Sequence, residues 1–463
     1  SSTSTNWSYH LKVKIEKIMD QELNGKKIAV IGLGVSNLSV LNYLKKHDLK
    51  QLTVYDTRTN PPHVGDLPMG IDLRLGPLNT EELSTFDMVV ISPGISIYQD
   101  EIAKVIKAGV EVVGDIELFA RVAKAPIIGI TGSNGKSTVT SLTGFMADVA
   151  KIKVAVGANI GVPVFDILSD DVQLYVLELS SFELETTKSL KLAAATILNV
   201  SEDHLDRYHG SIDEYAQAKK RIFLNCKNVV VNRDDDRTFP NHEDLDKYNI
   251  VSFGLSNEGY GLEKTAETTY LTYKKERLID VKELMIYGVH NYLNALACMA
   301  LADCVGISRQ SQLYALRHFS GLPHRCQLVK KINGVSYYND SKATNVASAE
   351  AAIIGLKDLH PKGIILLAGG LGKGQDFSPL KQYLGHEVVK VFCFGKDKQK
   401  LLDLSDTYCE NVETMDEALE KATAIAKPDQ AILLSPACAS FDQFKGFEHR
   451  GQVFVELVSK IGE

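Results

Sequence analysis

An α/β fold made of parallel sheets with crossover helices is what this sequence predicts, and three observations predict it. From Lys26 onward, short β-branched apolar runs pass into Gly-rich turns and then into helical periodicity, the pattern of strand-helix-strand units. These runs fall into three blocks separated by stretches of different texture. The length of 463 residues also exceeds one packed core, since roughly 150 residues per domain gives about three domains.

Composition narrows the class. With 44% hydrophobic and 24% charged residues the chain has ample apolar surface to bury, which excludes disorder. The balance of 51 Lys+Arg against 58 Asp+Glu gives a net charge of −7, so no global positive field draws a phosphate backbone and nucleic acid is not an expected partner. The seven cysteines, 226, 298, 304, 326, 393, 409 and 438, form no CxxC pair and read as reduced thiols of a cytoplasmic protein. No apolar run approaches the ~20 residues that span a bilayer, so no membrane association is expected.

The elements follow in order. Residues 1–24 form an N-terminal extension without a signal-peptide h-region. The first block, 25–114, has strands at Lys27–Ile31, Leu52–Tyr55 and Met88–Ile91. The second, 115–321, has strands at Ile127–Thr131, Leu174–Glu178 and Ala194–Val200, then shorter segments at Lys227–Asn232, Ile250–Gly254 and Thr268–Tyr273 and a helix from His290 to about Cys304. The third, 322–463, opens with a hairpin, Cys326–Ile332 and Val335–Tyr338, joined by Asn333-Gly334, a dipeptide suited to a type I′ turn. Strands at Gly363–Ala368, Val389–Phe394 and Ala431–Ser435 complete it.

The sharpest chemical signal is the strand-to-helix turn Thr131-Gly132-Ser133-Asn134-Gly135-Lys136-Ser137-Thr138. Glycines there let backbone N–H groups face phosphate oxygens, Lys136 reaches the β/γ-phosphates and the Ser137 hydroxyl can hold Mg²⁺. Ile130 stands where the general phosphate loop has Gly, so this is a variant loop. Glu178 ends the next strand, the usual place for a second Mg²⁺ partner, and Ser201-Glu202-Asp203-His204 follows another strand end on the same edge. A strand-end acid or a single His is often only structural, and the phosphate loop gives these two their functional weight.

Lys219 is anomalous because it falls on the apolar stripe of Ile212, Tyr215, Ile222 and Phe223 in a helix opened by the capping-box residues Ser211 and Glu214. Two readings stand: a stem that packs while its ammonium snorkels to water, or a lysine turned toward the Mg²⁺ site. In the first block, Gly32-Leu33-Gly34-Val35-Ser36-Asn37 with Asp56 downstream resembles a dinucleotide fingerprint with Asn37 in place of the third small residue. It supports a bound nucleotide or diphosphate, and the Ser92-Pro93-Gly94 turn could close over the same ligand. In the third block, polar loops at strand ends, Asn339–Asn345, Ala368–Lys373 and Ser435–Ser440, suit a small anion, with Lys342 and Lys373 as counter-charges. Cys438, between two alanines, reads as a packed small hydrophobe.

Together with Leu177-Glu178-Leu179-Ser180-Ser181-Phe182, Asn199–Asp206 and Gly321-Leu322-Pro323-His324-Arg325, these motifs resemble the Mur ligases of peptidoglycan synthesis across all three blocks. The departures are Val35-Ser36-Asn37 and the neighbours of Lys373, Leu371 and Gly374. The resemblance implies two Rossmann-like domains flanking a phosphate-loop domain: 25–114 for a UDP-linked substrate, 115–321 for ATP and 322–463 for an amino acid. It implies ATP-dependent amide formation between D-glutamate and the alanine carboxylate of UDP-N-acetylmuramoyl-L-alanine, through an acyl phosphate, with domains that close on substrate; a monomer is the expected state. Gly132, Ser133, Asn134, Gly135, Lys136, Ser137 and Thr138, with Asn291, Asn294, Arg325 and Asp340, would bind ATP. Ser137, Glu178, His204 and Lys219 would serve Mg²⁺, Lys219 as a carbamylated lysine. Gly34, Val35, Ser36, Asp56, Thr57, Arg58, Ser92 and Gly94 would hold the uridine diphosphate, with Asn159 and His204 nearer the sugar. Lys342, Thr344, Lys373, Ser440 and Phe447 would hold D-glutamate.

Three rival readings are weaker. A folate-polyglutamate ligase shares the loop but needs no GxG domain with Asp56. An NAD-dependent oxidoreductase leaves Lys136 and Lys219 without a role. A non-catalytic regulator would lack one of Lys136, Glu178, His204 and Lys219, and all are present.

Overall fold

The computed structural model describes residues 18–158, 161–202, 205–319, 321–322 and 324–462. Three sheets organise them. The first has five parallel strands, β1 (Lys27–Ile31), β2 (Gln51–Asp56), β3 (Asp72–Leu75), β4 (Met88–Ile91) and β5 (Glu111–Val113), in the order β3-β2-β1-β4-β5. The central strands, β1 after Lys27 and all of β4, are apolar because helices cover both faces of a parallel sheet. The sequence pattern does not predict β3 or β5, short edge strands of four and three residues that each include a charged residue. Strand order reverses between β1 and β4, and the crevice at such a switch point is where open α/β sheets bind ligands.

The second sheet has nine strands: β6 (Ile127–Thr131), β7 (Val154–Ala158), β8 (Leu174–Glu178), β9 (Ala194–Ile197), β10 (Asn228–Asn232), β11 (Asn249–Phe253), β12 (Tyr260–Lys264), β13 (Thr269–Tyr273) and β14 (Glu276–Asp280). Their order is β14-β13-β12-β11-β10-β9-β6-β8-β7. The parallel register sets Ile130 beside Glu178 and Thr131 beside Ile197, so three strands end on one edge. Strand β9 is shorter than the predicted Ala194–Val200. It stops at Ile197 because Asn199 turns its carbonyl and side chain to the phosphate loop.

The third sheet, β15 (Gln327–Ile332), β16 (Val335–Asn339), β17 (Ile364–Gly369), β18 (Val388–Phe394), β19 (Cys409–Asn411) and β20 (Ala431–Leu434), has the order β15-β16-β20-β17-β18-β19. Only the β15–β16 hairpin is antiparallel, and its turn residues Asn333 and Gly334 have φ of 52° and 81°, as a primed turn requires.

The described residues divide into two compact units, the first holding the first two sheets and the second the third. One runs to Lys264 and includes Tyr270–Leu278 and Leu296–Ala315; the other holds Thr265–Thr269, Ile279–Ala295 and the residues from Leu316. The first two sheets share the first unit because their helices bury one continuous apolar cluster, from Leu23, Val40 and Leu44 through Phe119 and Phe165 to Tyr175 and Tyr215. Leu23 thus belongs to that core although it lies within the expected 1–24 extension. The second unit has a separate cluster on each face of its sheet. No helix among the described residues is long and apolar enough to cross a membrane.

Candidate active site

The phosphate loop leaves β6 and enters the helix Lys136–Val149 through Gly135, whose φ of 85° is in the left-handed region. Gly132 is required by space as well as conformation: a Cβ there would lie 3.1 Å from that of Leu198. Asn199 braces the loop. Its carbonyl and Oδ1 accept from the Ser133 N–H at 3.0 and 3.1 Å, Oδ1 accepts from the Asn134 N–H at 2.8 Å, and its Nδ2 donates to the Asn134 carbonyl at 2.9 Å. The Ser137 hydroxyl donates to Glu178 Oε2 at 2.9 Å, joining the loop to the end of β8. Thr138 is buried, and its hydroxyl has no partner among the described residues. Asn199→Ala removes the side-chain half of this brace. It is expected to raise the KM for ATP several-fold and to lower stability by about 1–3 kcal/mol in denaturant titration.

Lys219 does not snorkel. It is 1% exposed, its Nζ donates to the Gly132 carbonyl at 3.1 Å, and it lies 4.4 Å from the centre of the Tyr215 ring. The alternative reading, an inward-turned lysine, is the one the structure adopts.

Behind Glu178 two buried acids interact. Burial, then the charges of Asp115 and Glu178, push Glu183 up to about 8 against its bonds from Ser180; burial likewise pushes Asp115 up to about 6. Both values exceed those of the unfolded chain. At these two sites the folded protein keeps protons that the unfolded chain releases, so the pair's contribution to stability falls as pH rises from about 4 to about 8. Glu183→Gln keeps the capping-box acceptor and removes the ionisation. Its melting temperature should match the parent near pH 4 and exceed it by about 3 °C or more at pH 9; equal profiles would refute the pair.

Above the switch point of the first sheet lies a cavity of about 240 Å³ lined by Ile31, Gly32, Asp56, Thr57, Arg58, Leu78, Ser92, Gly94, Ile95 and Gln99. Gly32 has φ of 92°, and a Cβ there would come within 2.7 Å of Ser92 Oγ. Asn37, the misfit in the fingerprint, closes the turn by donating to the Ile31 and Gly32 carbonyls at 3.0 and 2.8 Å. Asp56 accepts from the Leu33 N–H at 2.8 Å and from Arg58 through Nη2, Nε and N. Burial would raise this carboxyl, but Arg58 and those N–H groups hold it down at about 2. Gly34, Val35 and Ser36 do not line the cavity, and the Val35 side chain is exposed.

In the second unit, Arg450 ties the predicted anion loops together. It is fully buried and donates through Nε to Ser341 Oγ, through Nη2 to the Ser341 carbonyl and through Nη1 to the Cys438 carbonyl, at 2.7–2.9 Å. Ser341 Oγ in turn donates to the Phe447 carbonyl at 2.7 Å. Gln375 joins the third loop, donating to the Gly372 and Ala437 carbonyls and accepting from the Val346 N–H. Lys342 lies 5.8 Å from the Phe447 ring centre, Ser440 is buried, Thr344 is half-buried and Lys373 is exposed at φ 50°. Asp340 accepts from Ser435 Oγ and the Cys326 N–H. Burial pushes it up to about 7 despite those bonds and the charges of Arg325 and Arg450. Asn291 and Asn294 are buried and linked to each other, Asn291 donating to the Tyr287 carbonyl. Burial raises the Cys438 thiol to about 12, so it packs as an inert group.

The structure thus gathers Lys136, Ser137, Glu178 and Lys219 at one edge and Asp56, Thr57, Arg58, Ser92 and Gly94 around one cavity. Asn159 and His204 lie outside the described residues. Asn199, Gln375 and Arg450 carry no expected role from the sequence; Asn199 opens the segment Asn199–Asp206, but nothing local marks the other two.

Comparison with known proteins gives the same outline. Family models match in three places: "Mur ligase MurD-like, N-terminal domain" at residues 26–114, "Mur ligase middle domain" at 130–302 and "Mur ligase, glutamate ligase domain" at 324–438. The UDP-N-acetylmuramoylalanine--D-glutamate ligase of Escherichia coli K12 is 48% identical over 442 residues, covering 95% of this chain and all of that protein. The enzyme of the same name from Salmonella typhimurium is 48% identical, covering 94% and 99%. Among solved structures, a pseudomurein peptide ligase type C from Methanothermus fervidus aligns with a TM-score of 0.59 at 20% identity over 94% of this chain and 100% of that one. MurF from Acinetobacter baumannii aligns with a TM-score of 0.59 at 18% identity over 96% and 93%. At those identities the structures speak for the fold.

Proposed function

The chain belongs to the Mur ligase family, and from that premise we propose that its phosphate loop, the cavity of its first sheet and the three loops of its second unit are the ATP, UDP-substrate and D-glutamate sites of one ligation. The chain joins D-glutamate to the L-alanine carboxylate of UDP-N-acetylmuramoyl-L-alanine in peptidoglycan synthesis, with ATP and Mg²⁺. The observation that carries the site assignment is the convergence of Ser137, Glu178 and Lys219 on the glycine loop, where β6 and β8 end side by side.

The donor set suits the metal. Ser137 and Glu178 offer hard oxygens 2.9 Å apart at the end of the phosphate loop. That matches Mg²⁺, which keeps waters and phosphate oxygens in its shell. When bound, it neutralises the phosphate charge that would otherwise repel an incoming carboxylate. Lys136 and the loop N–H groups orient the γ-phosphate. The reaction needs that phosphate because a carboxylate oxygen is a poor leaving group until it carries one. Lys342 and Lys373 supply positive charge for the carboxylates of D-glutamate, on loops held rigid by Arg450 and Gln375. Lys219, as a carbamate, would add a carboxylate beside the loop; its remaining N–H could still donate to Gly132.

The test is phosphate release from ATP with purified UDP-N-acetylmuramoyl-L-alanine, comparing D-glutamate, L-glutamate, L-lysine and no amino acid. Release that requires D-glutamate is expected. Release with none of them would overturn the reading.

A further inference from the structure

Arg207 sits in the short turn Leu205–Tyr208, and its side chain is 13% exposed. Its Nη1 donates to the Pro93 carbonyl at 2.8 Å. Its Nη2 donates to Glu185 Oε2 at 3.0 Å and, more distantly, to the Ile95 carbonyl at 3.4 Å. The guanidinium stacks on the Phe182 ring at 3.9 Å, and the neighbouring Tyr208 hydroxyl donates to the other Glu185 oxygen at 2.5 Å. Phe182 and Glu185 belong to the helix Ser181–Glu185, which begins three residues after Glu178. Pro93 and Ile95 flank Gly94 in the turn that walls the first-sheet cavity. One cation therefore grips both the turn facing the cavity and the helix that follows the metal-site acid.

Two details separate this arginine from a simple fold brace. Its Nε is buried and has no hydrogen-bond partner among the described residues, so its hydrogen bonds run from Nη1 and Nη2 to the turn and to Glu185. A trans peptide also holds its carbonyl and N–H on opposite sides. With the Pro93 carbonyl on the guanidinium, the N–H of the cavity-lining Gly94 points away from Arg207, and the adjacent charge polarises it into a stronger donor. An anion in the cavity is what such a donor suits.

We propose that Arg207 is a positioning residue for the UDP-linked substrate, and that it makes binding in the cavity and Mg-nucleotide binding at the phosphate loop favour each other. The proposal rests on assigning the cavity to the uridine diphosphate group. The guanidinium sets the Ser92–Ile95 turn through two carbonyls. Through Phe182 and Glu185 it ties that setting to the helix after Glu178, so order imposed at one site lowers the cost of ordering the other.

The experiment is calorimetric titration of the full chain with UDP-N-acetylmuramoyl-L-alanine, with and without Mg²⁺ and the β,γ-imido analogue of ATP. The parent, Arg207→Lys and Arg207→Gln are compared; the lysine variant keeps the charge beside Glu185 if the glutamine variant fails to fold. The parent should bind the UDP-substrate about fivefold or more tightly with the analogue present. In the variants the UDP-substrate Kd should rise about tenfold, the analogue alone should bind within about twofold of the parent, and the coupling should vanish. Variants that keep the coupling, a parent that lacks it, or variants that lose only binding stoichiometry as a destabilised protein would all overturn the proposal. A parent that binds the analogue but no UDP-substrate would instead remove the assignment of the cavity on which it rests.

Discussion

Lys219→Ala is expected to lower kcat by about a hundredfold to a thousandfold, the loss typical of removing one preorganised charge or donor from a site of developing charge. The side chain is buried and fastened to the carbonyl of the first loop glycine, so alanine leaves both an unbraced loop and a small void. The KM values should move less than kcat, because substrates bind largely through other groups. Small carboxylates separate the two chemical states open to this lysine. Acetate or formate should restore part of the activity of the alanine variant if a carbamate supplies a carboxylate at this place, and should restore none if the ammonium alone is needed. A ¹³C resonance from labelled bicarbonate, present in the parent and absent from the variant, is the independent check.

Replacing Arg450 should damage the second unit severely. Three carbonyl or hydroxyl acceptors on two loops depend on this one buried guanidinium, which burial holds down at about 10. Arg450→Met leaves those acceptors without a donor in a dry setting. With two buried carbonyls left unsatisfied it is expected to cost about 2–5 kcal/mol in denaturant unfolding and to raise the KM for D-glutamate about tenfold or more as the loops bearing Lys342 and Ser440 separate. Arg450→Lys keeps the charge but cannot reach both loops at once, so it should fall between the two. Unchanged stability and an unchanged KM for D-glutamate in the methionine variant would refute the brace.

The parts of the site legible in the sequence are those whose chemistry is local. Gly132 to Ser137 are neighbours along the chain, and their own backbone geometry brings them to one point. Glu178 could be placed because parallel strands deliver their C-terminal residues to one edge. Asn37 was visible as a misfit, but not as the amide that closes the turn. Edge strands β3 and β5 are not legible because four and three residues are too short to establish a period.

By itself, the sequence determined the α/β class, the phosphate loop, the strand-end acid and the presence of a lysine on an apolar stripe, because each is written in contiguous residues or in a period. Only the tertiary structure decided where that lysine points, and that the first two sheets share one core. It alone brought Asn199 to Ser133 across 66 residues, Arg450 to Ser341 across 109 and Arg207 to Pro93 across 114. The physical reason is that a hydrogen bond acts over about 3 Å of space and leaves no periodic trace in the chain, so partners so far apart in sequence are chosen by the packing of whole sheets.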